Sequence, residues 1–263
     1  MNDLKDYIVP DQSYLPERLK DKEDVISIKD LVIKYKTIDS FSFKRDLFHH
    51  GAPKSKYFEA VKGLTFNVKE GEILGIIGKN GSGKSTLLRA IANIYTPDSG
   101  SIDLHGRTIS LMAIGVGFNK ELTGRKNIEL AGLLLGFSKE EIAAKSDDII
   151  EFAQLGDFID KPVRTYSSGM YSKLAFGITV CLETDIMLID EVLSVGDERF
   201  KSKSFRKMKE LITRDDKTVV IVSHSTGLLS ELCDRIMWVN DGEIIQVGEP
   251  AEVVERYKEY MNS

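Results

Sequence analysis

Two kinds of apolar pattern run along the chain. Ile26 and Ile28, then Val32, Ile33 and Tyr35, read as strand, and Leu64, Phe66 and Val68 alternate with polar residues. The turn residues Lys69-Glu70-Gly71 lead into Ile73–Ile77, an unbroken apolar run, and two more such runs follow at Ile186–Ile189 and Val219–Val222. A strand that is apolar on both faces belongs inside a parallel sheet covered on both sides. Helical spacing before or after each run predicts an α/β core.

Between about residues 119 and 182 the spacing becomes helical. Ser138 and Glu141 form a capping-box pattern, in which each side chain meets the other's backbone amide. Ile142, Ile149, Ile150 and Phe152 then supply an apolar face, and Gly156 is the expected stop. This predicts a helical lobe over about 116–182, inserted into the α/β core. Near the end, Ile236–Val239, Asn240-Asp241-Gly242 and Ile244–Val247 read as a hairpin, because Asp-Gly tolerates the positive φ of a tight turn. An amphipathic helix is expected around Ala251–Met261. Residues 1–24 are polar, with Pro10, Pro16 and a charge run at Arg18–Asp24, and read as an extension poorly ordered on its own. Residues 25–263 form the expected domain.

Composition narrows the setting. The 263 residues are 42% apolar and 29% charged, an ordinary globular profile. A net charge of −5 gives no basic field, so nucleic acid is not an expected partner. Apolar stretches such as Leu133–Phe137 are far too short to cross a bilayer, and the acidic start has the look of no secretory leader. These features predict the cytosol, with a peripheral role on a membrane partner left open. Cys181 and Cys233, the only cysteines, lie in apolar-periodic segments and read as buried reduced thiols.

Candidate chemistry begins at Gly78-Lys79-Asn80-Gly81-Ser82-Gly83-Lys84-Ser85-Thr86, between the run ending at Ile77 and a helix starting near Lys84. Glycines let backbone amides wrap a phosphate, and a helix N-terminus adds partial positive charge. Lys84 would reach the β- and γ-phosphates of ATP, and the Ser85 hydroxyl would bind Mg²⁺. The run Ile186–Ile189 ends in Asp190 and Glu191, and Val219–Val222 ends in Ser223 and His224. Ligands of open parallel sheets sit at the carboxyl ends of strands. Asp190 is therefore expected at Mg²⁺, Glu191 as the base that polarises the attacking water, and His224 as the residue orienting that water and the γ-phosphate. His49, His50 and His105 read as structural.

Together these features resemble the ATP-binding-cassette (ABC) ATPase family over about Val25–Tyr257. The added motif is Tyr166-Ser167-Ser168-Gly169-Met170, similar to the family's signature, usually Leu-Ser-Gly-Gly-Gln. The resemblance implies a P-loop ATPase with a mixed β core, an antiparallel β subdomain and an inserted helical lobe. It further implies that the signature contacts the γ-phosphate held by a second copy, in a head-to-tail homodimer with two ATP molecules between the copies. By the same resemblance Tyr35 stacks on adenine, and Ser194 and Asp197 lie in the D-loop, which couples the two sites. The family's usual Gln ahead of the helical lobe is missing: its position falls near Ile114.

Within the family, Gly115–Gly124, the Tyr-Ser-Ser-Gly-Met signature and Asp190–Asp197 look like the ATPases that export lipid-linked cell-surface polysaccharides, such as O antigen and wall teichoic acid. That resemblance implies two copies of an integral membrane permease as partners, an undecaprenyl-linked glycan as cargo, and a place on the cytoplasmic face of the bacterial inner or plasma membrane. Some relatives carry an added carbohydrate-binding domain, and the sequence, ending at Ser263, is expected to lack it. Two rival readings are an ABC ATPase for another solute and a soluble regulatory ABC ATPase acting on ribosomes or DNA. The long segment Thr37–Phe58 mixes aromatics with cations, and reads either as a membrane-interface element or as a loop folding over its own domain.

Overall fold

The computed structural model describes residues 4–9, 13–37, 56–112, 117–190, 197–212, 214 and 216–263. Six strands form a mixed sheet: β3 (Ile73–Ile77), β5 (Ile109–Met112), β6 (Ile186–Asp190), β7 (Thr218–Val222), β8 (Arg235–Asn240) and β9 (Glu243–Gly248). Their order is β5-β6-β7-β3-β8-β9, all parallel except β9, which returns antiparallel beside β8. The return is the expected tight turn, with Asp241 at φ 49° and Gly242 at φ 80°. A second, antiparallel sheet joins β1 (Asp24–Thr37), β2 (Lys56–Lys69) and β4 (Ser99–Asp103) in the order β2-β1-β4.

The unbroken apolar runs are explained by the two faces of the large sheet. Leu74, Ile76, Leu188, Val220 and Val222 pack toward the antiparallel sheet and α1 (Lys84–Ile91). Ile73, Ile77, Met187, Ile189, Val219 and Ile221 pack on the other side, against α5 (Glu198–Ile212), α7 (Pro250–Asn262) and part of α4 (Ser168–Cys181). Each buried Val, Leu or Ile contributes roughly 1.5–3 kcal/mol. Alternate residues of one strand thus enter different cores, which leaves no polar face for the sequence to show.

Helices α2 (Gly124–Leu134), α3 (Lys139–Ala153) and α4 share a separate core of Ile128, Ile142, Ile149, Leu174 and Ile178. The capping box starts α3: the Glu141 amide donates to Ser138 Oγ at 3.2 Å and the Ser138 amide donates to the Glu141 carboxylate at 2.8 Å. The helix stops two residues before Gly156, at Gln154, which takes the left-handed conformation itself at φ 54°.

The polar N-terminal segment is packed onto the domain in its described part. Leu4–Tyr7 forms one 3-10 turn and Glu17–Leu19 another, with Tyr7 and Leu19 buried. Arg18 pairs with Asp234, and the Val9 amide donates to the Ile245 carbonyl on β9 at 3.0 Å. Tyr57 and Phe58 belong to β2 rather than to a loop, and both are more than half exposed; residues 38–55 lie outside the described residues.

Candidate functional site

The loop from Gly78 to Gly83 joins β3 to α1, and two of its glycines are demanded by close approach. A Cβ at Gly78 would stand 2.0 Å from the Val239 carbonyl oxygen, and one at Gly83, where φ is 99°, 2.2 Å from that of Ala60. The loop is therefore pressed against β8 on one side and β2 on the other. The β8–β9 turn ties it further, since the Gly242 amide donates to the Ser82 carbonyl at 3.1 Å. Lys79, Asn80 and Gly81 form the exposed tip.

Lys84 is only 6% exposed, so its ammonium needs partners. It donates to the carbonyls of Gly78 and Lys79, each at 2.8 Å. Burial pushes its pKa below the ordinary lysine value, and Asp190 opposes that shift. An ammonium has three donors, so one remains to point into the loop. The Ser82 hydroxyl is buried within the loop and has no hydrogen-bond partner. A cradle of glycines, a buried cation with a spare donor and an orphaned hydroxyl all fit a bound phosphate chain.

Next to the loop, Ser85 Oγ donates to Asp190 Oδ1 at 3.1 Å. Asp190 ends β6 and lies level with Val222 on β7, so His224, two residues further, emerges at the same edge and is exposed. A hydroxyl and a carboxylate in contact beside a phosphate cradle fit the hard oxygen donors that Mg²⁺ selects. Glu191 and Ser194, like Ile114, lie outside the described residues.

Tyr35 lies over the first turn of α1, its hydroxyl 3.1 Å from Thr86 Oγ1. Its ring meets Tyr95 edge-on at 6.0 Å, and Arg89 donates to the Tyr95 hydroxyl at 3.3 Å. That hydrogen bond holds the Tyr95 phenol below its ordinary pKa, while burial raises that of Tyr35. Tyr95 and Arg89 were not singled out by sequence, because neither belongs to a motif.

The segment Tyr166–Met170 starts α4, as expected. Ser167 is the N-cap, its hydroxyl accepting from the Met170 amide at 3.2 Å, and Ser168 and Gly169 open the first turn with free space around Gly169. Tyr166 donates to the Phe158 carbonyl at 2.8 Å. The chain before it is stitched to the segment before α2, through Val163 N to Leu122 O and Arg164 N to Lys120 O. Asn127, fully buried, fixes that segment with its whole amide: Oδ1 accepts from the Asn119 amide, and Nδ2 donates to the carbonyls of Asn119, Leu122 and Thr123. Asp197 accepts from the Phe200 amide at 2.9 Å at the start of α5 and pairs with Lys173 of α4 at 2.7 Å, which holds its carboxyl below the usual range.

A groove of about 430 Å³ lies away from the phosphate loop, between β5, the end of α1 and the helices α2 and α4. Its walls include Ile94, Leu111, Phe118 and Leu134, with Ile94 nearly half exposed and Leu134 more so.

Comparisons with known proteins agree with this geometry. Residues 61–194 match the family model described as ABC transporter. The chain is 43% identical over 245 residues to the O-antigen export system ATP-binding protein RfbB of Myxococcus xanthus, covering 90% of this chain and 56% of that protein. It is 45% identical over 216 residues to the teichoic acids export ATP-binding protein TagH of Lactiplantibacillus plantarum, covering 82% and 59%. The chain thus spans somewhat over half the length of these relatives. The fold also matches a solved structure described as the ATP-binding cassette MJ0796, dimeric, in a post-hydrolysis state bound to ADP and Pi, with a TM-score of 0.65 at 24% identity over 86% of this chain and 98% of that one. A loop whose geometry fits a phosphate chain and a family match over residues 61–194 lead to one assignment: the chain belongs to the ABC transporter family.

Proposed function

We propose that this chain is the ATP-binding and hydrolysing subunit of a transporter that exports a lipid-linked cell-surface polysaccharide, an O antigen or a wall teichoic acid. The observation that carries the ATPase part is the buried Lys84 ammonium, held between two loop carbonyls beside the Ser85–Asp190 pair. The export part is supported by the relatives named for O-antigen and teichoic acid export.

In this reading the amides of Gly81 to Thr86 wrap the phosphates of ATP and Lys84 gives its spare donor to the β- and γ-oxygens. Ser85 and Asp190 hold Mg²⁺, which when bound neutralises charge on those oxygens. Glu191 takes the proton of the attacking water, and His224 orients that water against the γ-phosphate. Tyr35 stacks on the adenine. Ser167, Gly169 and the N-terminus of α4 face the γ-phosphate of a second copy, with Tyr166, Ser168 and Met170 shaping that surface. Ser194 and Asp197 couple the two sites. The active unit is then a homodimer with two copies of an integral membrane permease, on the cytoplasmic face of the membrane. No described helix is long and apolar enough to cross one. The exposed Ile94 and Leu134 in the groove beside β5 suit a cytoplasmic segment of that permease.

The test is to purify the Glu191→Gln protein with its membrane partner in ATP and identify the co-purifying lipid by mass spectrometry. A polyprenyl-linked glycan is the expected cargo. A different solute would overturn the export reading while leaving the ATPase reading intact.

A further inference from the structure

The phosphate loop is held from outside by α7, which is itself held by the turn Leu4–Tyr7. Lys79, at the loop tip, places its ammonium 4.2 Å from the ring centroid of Tyr260 on α7. That ring is set by two others, with Tyr7 at 5.5 Å and Trp238 at 5.2 Å. Tyr7 in turn meets Trp238 edge-on at 5.7 Å and is 7% exposed. Its carbonyl accepts from Arg256 of α7 at 3.2 Å, and two residues later Val9 bonds to β9. The N-terminal turn and the last helix are therefore locked together over the same tryptophan. At the other end of this relay, the Lys79 carbonyl accepts from Lys84 Nζ at 2.8 Å. Gly78 cannot yield to compensate, because it is pressed on Val239, the neighbour of Trp238.

We propose that the turn Leu4–Tyr7 and helix α7 together brace the phosphate loop: Tyr7 holds Tyr260, Tyr260 holds the Lys79 side chain, and the Lys79 backbone keeps Lys84 aimed at the phosphates. The inference rests on the reading of this loop as the ATP site. Tyr260 and Tyr7 are positioning residues that touch no reacting atom. This gives the N-terminal segment a role in nucleotide affinity that no motif in it announces. The contact has the strength of a partly exposed cation–π pair, so its loss corresponds to about three- to tenfold in ATP affinity. A ground-state contact of this kind raises KM and leaves kcat close to the parent value.

The experiment is a double-mutant cycle in the full chain. ATP affinity is measured by calorimetry and KM and kcat by phosphate release, for Tyr260→Leu, Lys79→Gln and the pair. Each single variant is expected to bind ATP about three- to tenfold more weakly, and the pair no more weakly than either. Tyr260→Phe and Lys79→Arg keep the ring and the cation and should restore near-parental affinity. Tyr7→Leu should reproduce part of the Tyr260→Leu effect. Thermal melts report whether each variant is folded; if Tyr260→Leu is not, the exposed Lys79 pair of variants carries the test alone. Parental affinity in Tyr260→Leu or Lys79→Gln, or effects that multiply in the pair, would overturn the brace. Lys84→Ala is run alongside. If it too binds ATP like the parent, the ATP-site reading has failed, and if it alone loses binding, only the brace has failed.

Discussion

Ser85 donates a hydrogen bond to Asp190 across 3.1 Å, although 105 positions separate the two residues in the chain. The contact exists because α1 begins at the carboxyl end of β3 while Asp190 ends β6, two places away in the sheet. Sheet order, rather than sequence distance, thus assembles the hydroxyl and the carboxylate. Removing the charge of Asp190 should weaken Mg²⁺-dependent binding far more than binding of free nucleotide. Asp190→Asn is expected to lose about tenfold or more in MgATP affinity. Titrations with ATP in Mg²⁺ and in chelator would check it, and equal losses in both would count against the role.

Lys84 makes a pH-dependent prediction. Its burial lowers the pKa, so the charged form is lost earlier on the alkaline side than for an exposed lysine. ATP affinity should be flat through neutral pH and fall as pH climbs toward that lowered pKa. Lys84→Ala should remove the fall along with most of the affinity. Calorimetric affinities across a series of alkaline buffers measure this directly, and an unchanged slope in the variant would assign the titration to another group.

Glu191→Gln should bind ATP at near-parental affinity and hydrolyse it about a thousandfold more slowly, within the range of a lost general base. If Ser167 and Gly169 complete the site of a second copy, the same variant should become a dimer when ATP is added. Light scattering behind a sizing column would show the doubled mass. Ser167→Arg, placed at the N-cap of α4, should abolish that dimer and leave monomer binding intact.

Some of this was legible in the sequence for definite physical reasons. Strands β3, β6 and β7 announce themselves because both faces are buried, and the phosphate loop because glycines, Lys84 and Ser85 must stand at fixed spacing. The capping box and the Asp241–Gly242 turn are local rules and needed no tertiary context. By contrast β4 is polar and exposed, so it carries no apolar period. Leu19 is a single apolar residue among charged ones, and Tyr7 is buried against Trp238 while Ile8 beside it stays exposed, a choice that tertiary packing makes and the local sequence does not. Asn127 reads as one more polar helix residue until its amide is seen holding the segment before α2. Gln154 ended α3 ahead of the expected Gly156 because a left-handed residue need not be glycine.

The two cysteines should be inert in the folded protein. Both are free thiols, and burial raises the Cys181 pKa to about 11, with that of Cys233 pushed higher still. At pH 8 only about 0.1% of Cys181 would be thiolate, the nucleophilic form. A thiol-disulfide reagent at that pH should label native protein at least a hundredfold more slowly than protein in denaturant. Rapid labelling of either residue in the native state would contradict the packing around α4 and α6 (Thr226–Leu232).

The deepest ion pair among the described residues sits at the opposite end of the sheet from the phosphate loop. Glu72 is fully buried and accepts from the Arg235 guanidinium and from the Lys69 amide, while Arg235 also donates to the Asn67 and Tyr14 carbonyls. Burial raises the Glu72 pKa and Arg235 opposes that rise. Arg235→Met would leave the carboxylate buried without its cation, at a cost of about 3–5 kcal/mol. With the cation gone, the folded-state pKa of Glu72 moves further above its unfolded value. The folded form then holds a proton that the unfolded form releases, so the variant should lose stability as pH rises through that folded pKa and regain it on acidification. Replacing both residues, as Glu72→Gln with Arg235→Met, should cost less than the two single changes added together, since no charge is left buried. Urea denaturation at pH 5 and pH 8 measures both effects, and a pH-independent deficit in Arg235→Met would place its origin in the lost carbonyl bonds of Asn67 and Tyr14 instead.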